Sequence, residues 1–173
     1  MTGPICVLVG PPGSGKTTIG KVLSEQLGVD FRDTDHDIEA QRRTTIAEIF
    51  IDEGEDAFRG YERDAVSRAL AEHAGVLSLG GGAVIDQTTR QLLQAHQVVF
   101  LTIGLVAAAK RVGFARDRPV LAASPRALLA RLLDERRPLY DEVATVTIET
   151  DTATVAQVVA QIVAALQLEV PVK

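Results

Sequence analysis

The chain has 173 residues, 46% of them hydrophobic, and a formal net charge of −5. That suits one buried core and argues against general affinity for nucleic acid or an anionic membrane, both of which call for a basic surface. No Pro/Ser-rich linker divides it, so a single domain over 1–173 is expected; the lone cysteine, Cys6, excludes an intrachain disulfide and suits a reducing compartment. The start Met1-Thr2-Gly3-Pro4 has no basic, apolar leader and no run of about 18 apolar residues occurs, which makes the cytoplasm the expected location.

In chain order, the apolar run 5–9 reads as a buried strand and 16–27 as a helix. Between them, Gly10-Pro11-Pro12-Gly13-Ser14-Gly15-Lys16-Thr17 matches the phosphate-binding pattern G-x-x-x-x-G-K-[ST] in the strand, loop, helix setting it requires. The glycines let successive backbone N–H groups turn inward around an anion, and the helix start adds its positive end. Lys16 supplies a point charge for the β- and γ-phosphates and Thr17 a hydroxyl for magnesium. A nucleoside triphosphate is therefore implied, but not the acceptor.

Residues 29–33 read as a second strand and 38–70 as mostly helical, interrupted near Asp52-Glu53-Gly54. A third strand at 76–79 stops at Gly80-Gly81-Gly82, a helix follows at 88–95, a fourth strand at 98–103 and another helix at 105–112. The polar, arginine-bearing segment 113–124 reads as a mobile loop, followed by a helix from 125 to about 137, a fifth strand at 145–148 and a closing helix at 154–166. Such alternation predicts a three-layer α/β/α fold around a five-stranded parallel sheet, with ligands at the carboxyl ends of the strands.

Asp33-Thr34-Asp35 directly follows the second strand, beside the phosphate loop. One carboxylate there can hold magnesium through water while the other takes a hydrogen bond or proton from a hydroxyl; the plainer reading is a helix cap at Thr34 or Asp35. Residues 110–137 carry Lys110, Arg111, Arg116, Arg118, Arg126, Arg131, Arg136 and Arg137 against Asp117, Asp134 and Glu135, a local positive excess in an acidic chain. For Arg126 and Arg131 a solvated helix face is the preferred reading. His36, His73 and His96 show no metal-ligand spacing.

The phosphate loop, Asp33-Thr34-Asp35, Phe58-Arg59 with Glu62, Gly80-Gly81-Gly82, Arg118-Pro119, and Arg136 before Pro138-Leu139-Tyr140 together resemble shikimate kinase, a P-loop family related to the nucleoside monophosphate kinases, from residue 7 to about 150. The resemblance implies phosphorylation of the shikimate 3-hydroxyl by ATP with Mg2+, in chorismate and aromatic amino-acid biosynthesis. It puts Gly13, Ser14, Gly15, Lys16, Thr17 and Thr18 around the ATP phosphates, Thr17 on magnesium and Asp33 in the outer shell of that ion. It implies Asp35 as the residue on the shikimate hydroxyls and candidate base, Arg59 and Arg136 as the carboxylate clamp, and Gly81 among Gly80 and Gly82 as backbone toward a ring hydroxyl. Arg118, on a lid at about 112–124, would neutralise the transferring phosphoryl group with Lys16.

Arg59 could otherwise be a surface ion pair, Arg136 a partner of a helix carboxyl end, and Arg118 an ordinary loop charge. After the last strand the chain has Thr150-Asp151-Thr152-Ala153-Thr154 where the family often places a basic residue near adenine; Arg111 covers the base instead or is a surface helix charge. The expected partners are ATP and shikimate alone, acting on a monomer. The rivals are a gluconate or nucleoside monophosphate kinase of the same architecture, and a nucleotide-dependent switch; against the switch, no [NT]-K-x-D guanine-reading motif occurs.

Overall fold

Every side chain of β1 (Cys6–Val9) is buried, and they divide by parity: Val7 and Val9 join one apolar cluster, Cys6 and Leu8 another. Because successive side chains of a strand point to opposite faces, β1 must lie between two layers. The computed structural model, which describes residues 3–112 and 125–171, shows those layers. β1 is the middle strand of a parallel sheet in the order β2 (Phe31–Asp33), β3 (Val76–Ser78), β1, β4 (Val98–Thr102), β5 (Val146–Glu149).

One face is covered by α1 (Lys16–Leu27) and α8 (Val155–Leu166), through Ile19 and Leu23 of the first and Val158, Val159 and Ile162 of the second. Val158, Val159 and Ile162 recur at helical spacing and so share the face of α8 that meets the sheet. The opposite face is covered by α4 (Glu55–Glu72), α5 (Gln87–Leu93) and α7 (Pro125–Val143), through Val66, Ala69, Leu93, Tyr140 and Val143. Cys6 packs as a small apolar residue, fully buried, and burial pushes its thiol up to about 12. Among the described residues no helix is long and apolar enough to cross a membrane.

Two short helices stand off the sheet. α2 (Thr34–Arg42) and α3 (Ile46–Asp52) pack on α4 around a separate cluster of Ile38, Ile49, Phe58 and Ala65, with the Phe50 and Phe58 rings 4.7 Å apart. The helical stretch expected from 38 is therefore broken twice. Besides the stop before Gly54, Arg43 takes a left-handed conformation (φ 57°), and Thr45 with Glu48 forms a capping box that starts α3. Another helix, α6 (Leu105–Val112), follows β4 and packs on α7.

Two helix ends differ from expectation. α2 begins at Thr34, so its cap is Asp33 rather than Thr34 or Asp35, and the Asp33 Oδ1 accepts the Asp35 N–H at 3.0 Å. α7 does not stop near Arg137 but continues through Pro138 to Val143. A proline removes one donor, and the burial of Tyr140 and Val143 against the sheet offsets that loss. The expected lid, apart from Val112 at the end of α6, lies outside the described residues, and so does Arg118.

Candidate active site

The phosphate loop joins β1 to α1, and its turn is set by Gly13 and Gly15 at φ 83° and 88°, the latter capping α1. Side chains rarely adopt that conformation, and their absence leaves backbone N–H groups free at the helix start. The Lys16 Nζ reaches back to the Gly10 and Pro11 carbonyls at 2.7 and 3.2 Å. Desolvation lowers its ammonium to about 8, opposed by the nearby charges of Asp35 and Asp33 and reinforced by Arg136. Ser14 is fully buried with its hydroxyl unpaired, an unmet polar group inside the loop.

Thr17 donates to the Asp33 Oδ2 at 3.0 Å, so the Asp33 carboxylate joins the first turn of α1 to the cap of α2. Two hard oxygen donors side by side suit magnesium. Among the described residues no group of three or more His, Cys, Asp or Glu could hold a metal.

Asp35 lies one residue into α2, against the glycine loop. A Cβ on Gly80 would overlap the Asp35 Oδ1, and one on Gly82 would overlap the Arg59 guanidinium. These two glycines leave room for the charged side chains beside them, while Gly81 abuts Pro12 of the phosphate loop. The Gly80 N–H is held by the buried Thr34 hydroxyl at 3.2 Å. Burial, then the charges of Asp33 and Glu62, raises the Asp35 carboxyl from the ordinary 3.8 to about 6, with Lys16 pulling the other way. Its Oδ1 has no hydrogen-bond partner.

Arg59 pairs with Glu62 at 2.6 Å and with Glu55 at 3.2 Å. The ion-pair reading of Arg59 is thus correct as far as it goes, but the pair is not a surface one: the Glu62 side chain is only 4% exposed. Burial raises the Glu62 carboxyl, and the charges of Arg59 and Arg136 oppose the rise. Arg136 sits in the interior of α7, seven residues before its end at Val143, which removes the helix-terminus reading. The role of Glu62 as the buried counter-charge between two arginines was not legible in the sequence beyond its place in the motif.

On the other side of the loop, Arg111 is neither a free surface charge nor remote. It donates to the Gly13 carbonyl at 3.2 Å and to the Thr150 hydroxyl and carbonyl at 3.2 and 2.5 Å. It lines a 360 Å³ cavity with Ser14, Gly15, Thr18, Thr150, Ala153 and Val158, next to the phosphate loop. Arg126 and Arg131 lie exposed on α7, with Arg131 paired to Glu135 at 2.5 Å, as a solvated face requires.

A family model described as shikimate kinase matches residues 12–167. A shikimate kinase of Salinispora arenicola is 56% identical over 163 residues, 94% of this chain and 98% of that protein. The structure of a shikimate kinase from Acinetobacter baumannii in complex with shikimate superposes with a TM-score of 0.88 at 37% identity, covering 96% of this chain and 94% of that one. A gluconokinase from Sinorhizobium meliloti, by contrast, reaches a TM-score of 0.59 at 20% identity, a likeness of fold alone, over 96% of this chain and 93% of that one. The matched length, the identity and the five-stranded parallel fold agree: the chain belongs to the shikimate kinase family.

Proposed function

We propose that this chain transfers the γ-phosphate of ATP to the 3-hydroxyl of shikimate, with magnesium, as a single domain acting as a monomer. The observation that carries the reading is spatial: Gly81 abuts Pro12 of the phosphate loop while its neighbours Gly80 and Gly82 lie against Asp35 and Arg59, and Lys16 feels the charges of Asp35 and Arg136. Donor cation, candidate base and carboxylate clamp therefore share one site.

The unpaired Asp35 Oδ1 accepts the hydrogen bond of the attacking hydroxyl and aligns its oxygen. Whether Asp35 takes the proton early matters little to a loose phosphoryl transition state, in which alignment and charge do most of the work. Arg59 and Arg136 hold the shikimate carboxylate, with Glu62 keeping the Arg59 fork in place. Lys16 leaves the Gly10 and Pro11 carbonyls to meet the phosphates. Thr17 and Asp33 would hold magnesium, which when bound neutralises phosphate charge.

Arg136→Ala tests the reading. The shikimate KM should rise about a hundredfold, the size expected for a buried charged contact, with the ATP KM within about twofold. A fall in ATP affinity alone would make the clamp assignment wrong. Coupled ADP release with shikimate, gluconate and AMP as competing acceptors checks the substrate, and release independent of shikimate would sink it.

A further inference from the structure

Arg136 and the glycine loop come from different elements, and one buried side chain lies beside both. Tyr140 lies four residues after Arg136 on α7, so the two share a helix face. It is 1% exposed, with its ring stacked on Phe100 at 4.8 Å. The phenol donates to the Gly81 carbonyl at 2.5 Å and lies near enough to Arg136 to feel its charge. Burial pushes the phenol up to about 12, with the Arg136 charge opposing the rise, so it remains a donor across the working pH range.

The Gly81 peptide needs this anchor. Gly81 abuts Pro12, Gly80 clears Asp35 and Gly82 clears Arg59, so a rotation of the Gly81 carbonyl would disturb donor loop, base and clamp alike. Other bonds hold the flanks of the segment: Thr34 takes the Gly80 N–H, and Arg90 takes the Val84 and Ile85 carbonyls at 2.8 and 3.0 Å. At Gly81 itself the bond is that of Tyr140.

We propose that Tyr140 is a positioning residue for the acceptor: its hydroxyl fixes the Gly81 carbonyl and the Arg136 guanidinium relative to each other, so that backbone and fork meet the same substrate. The proposal rests on the reading of Arg136 as the carboxylate clamp. Tyr140→Phe keeps the ring and its stacking and removes only the hydroxyl. The shikimate KM should rise about tenfold, the worth of one hydrogen bond to a charged group, with kcat and the ATP KM within about twofold. In the Arg136→Ala background the same substitution should add much less than tenfold, because residues acting as a unit are not additive.

An equal rise in both KM values, or fully additive penalties, would make Tyr140 a packing residue and overturn the proposal. If Arg136→Ala leaves the shikimate KM unchanged, the clamp reading fails; if Arg136→Ala raises it and Tyr140→Phe does not, only the positioning role fails. A measurement on the intact hydroxyl covers the case in which Tyr140→Phe does not fold. The chain has two tyrosines, so uniform 3-fluorotyrosine in a Tyr61→Phe protein gives a single fluorine resonance, from Tyr140. That resonance should move on adding shikimate and hold still on adding ADP; a resonance that ignores shikimate overturns the proposal.

Discussion

The donor and acceptor halves of the site are built on different principles. The phosphate loop is eight consecutive residues between the central strand and α1, and its proposed recognition groups are backbone N–H groups and one lysine. The proposed acceptor side draws Asp35 from α2, Arg59 and Glu62 from α4, the glycines after β3 and Arg136 from α7. Its chemistry is carried by side-chain charge, and α2 and α3 rest on a satellite cluster rather than on the sheet. An anion can be recognised by a local turn, whereas a carboxylated polyol needs charges converging from distant parts of the chain. Gly81 against Pro12 is one place where the two halves touch; Asp33, bonded to Thr17 and to the Asp35 N–H, is another.

If the donor half depends on a single mobile charge, Lys16→Met should give the largest loss, at least about a thousandfold in kcat/KM, as for other preorganised cations at a transferring group. The fold should survive, since the Lys16 ammonium is desolvated and its bonds go only to loop carbonyls. Activity within tenfold of the parent would mean that other cations carry the donor half.

The acceptor half should announce itself in pH. Asp35 must be ionised to accept a hydroxyl hydrogen, and burial pushes it up to about 6; Lys16 must be protonated, and desolvation lowers it to about 8. The free enzyme's kcat/KM should therefore be bell-shaped, falling below about 6 and above about 8. Asp35→Asn should lower kcat/KM by about a hundredfold and flatten the acid limb. Its effect on stability has the opposite sign. A carboxyl raised from 3.8 to about 6 stabilises the fold below 3.8 and loses that contribution as pH rises through 6, so ionised Asp35 is a burden above it. Thermal unfolding at pH 8 should show the variant more stable than the parent, with the advantage gone near pH 4. An unchanged acid limb in Asp35→Asn would assign that limb to another group.

The same contrast explains what could be read in the sequence. β1, the phosphate loop and α1 were legible because their geometry is local: an apolar run, fixed glycines and a helical pattern. The residues of the acceptor side were legible as a set only through the family resemblance, because nothing local brings positions 35, 59 and 136 together. The break after α2 falls at Arg43, where a left-handed arginine leaves no mark, although Thr45 and Glu48 three residues later do spell a capping box. The end of α7 was misplaced because Pro138 looks like a stop, and only the burial of Tyr140 and Val143 shows why the helix runs on. Glu62 and Tyr140 sat inside quoted motifs without a role, since burial and partners decide what they do.

The smallest effect is expected where the donor half is braced from outside. Arg111 joins α6 to the Gly13 carbonyl and to Thr150 just after β5, along the cavity walled by Ala153. Arg111→Ala removes that brace and a charge beside the phosphate loop but leaves every acceptor contact in place. The ATP KM should rise about three- to tenfold, as for loss of one or two charge-assisted bonds, with the shikimate KM unchanged. A parallel rise in the shikimate KM would show that strain at Gly13 passes through Pro12 to Gly81, and the two halves would then have to be treated as one coupled unit.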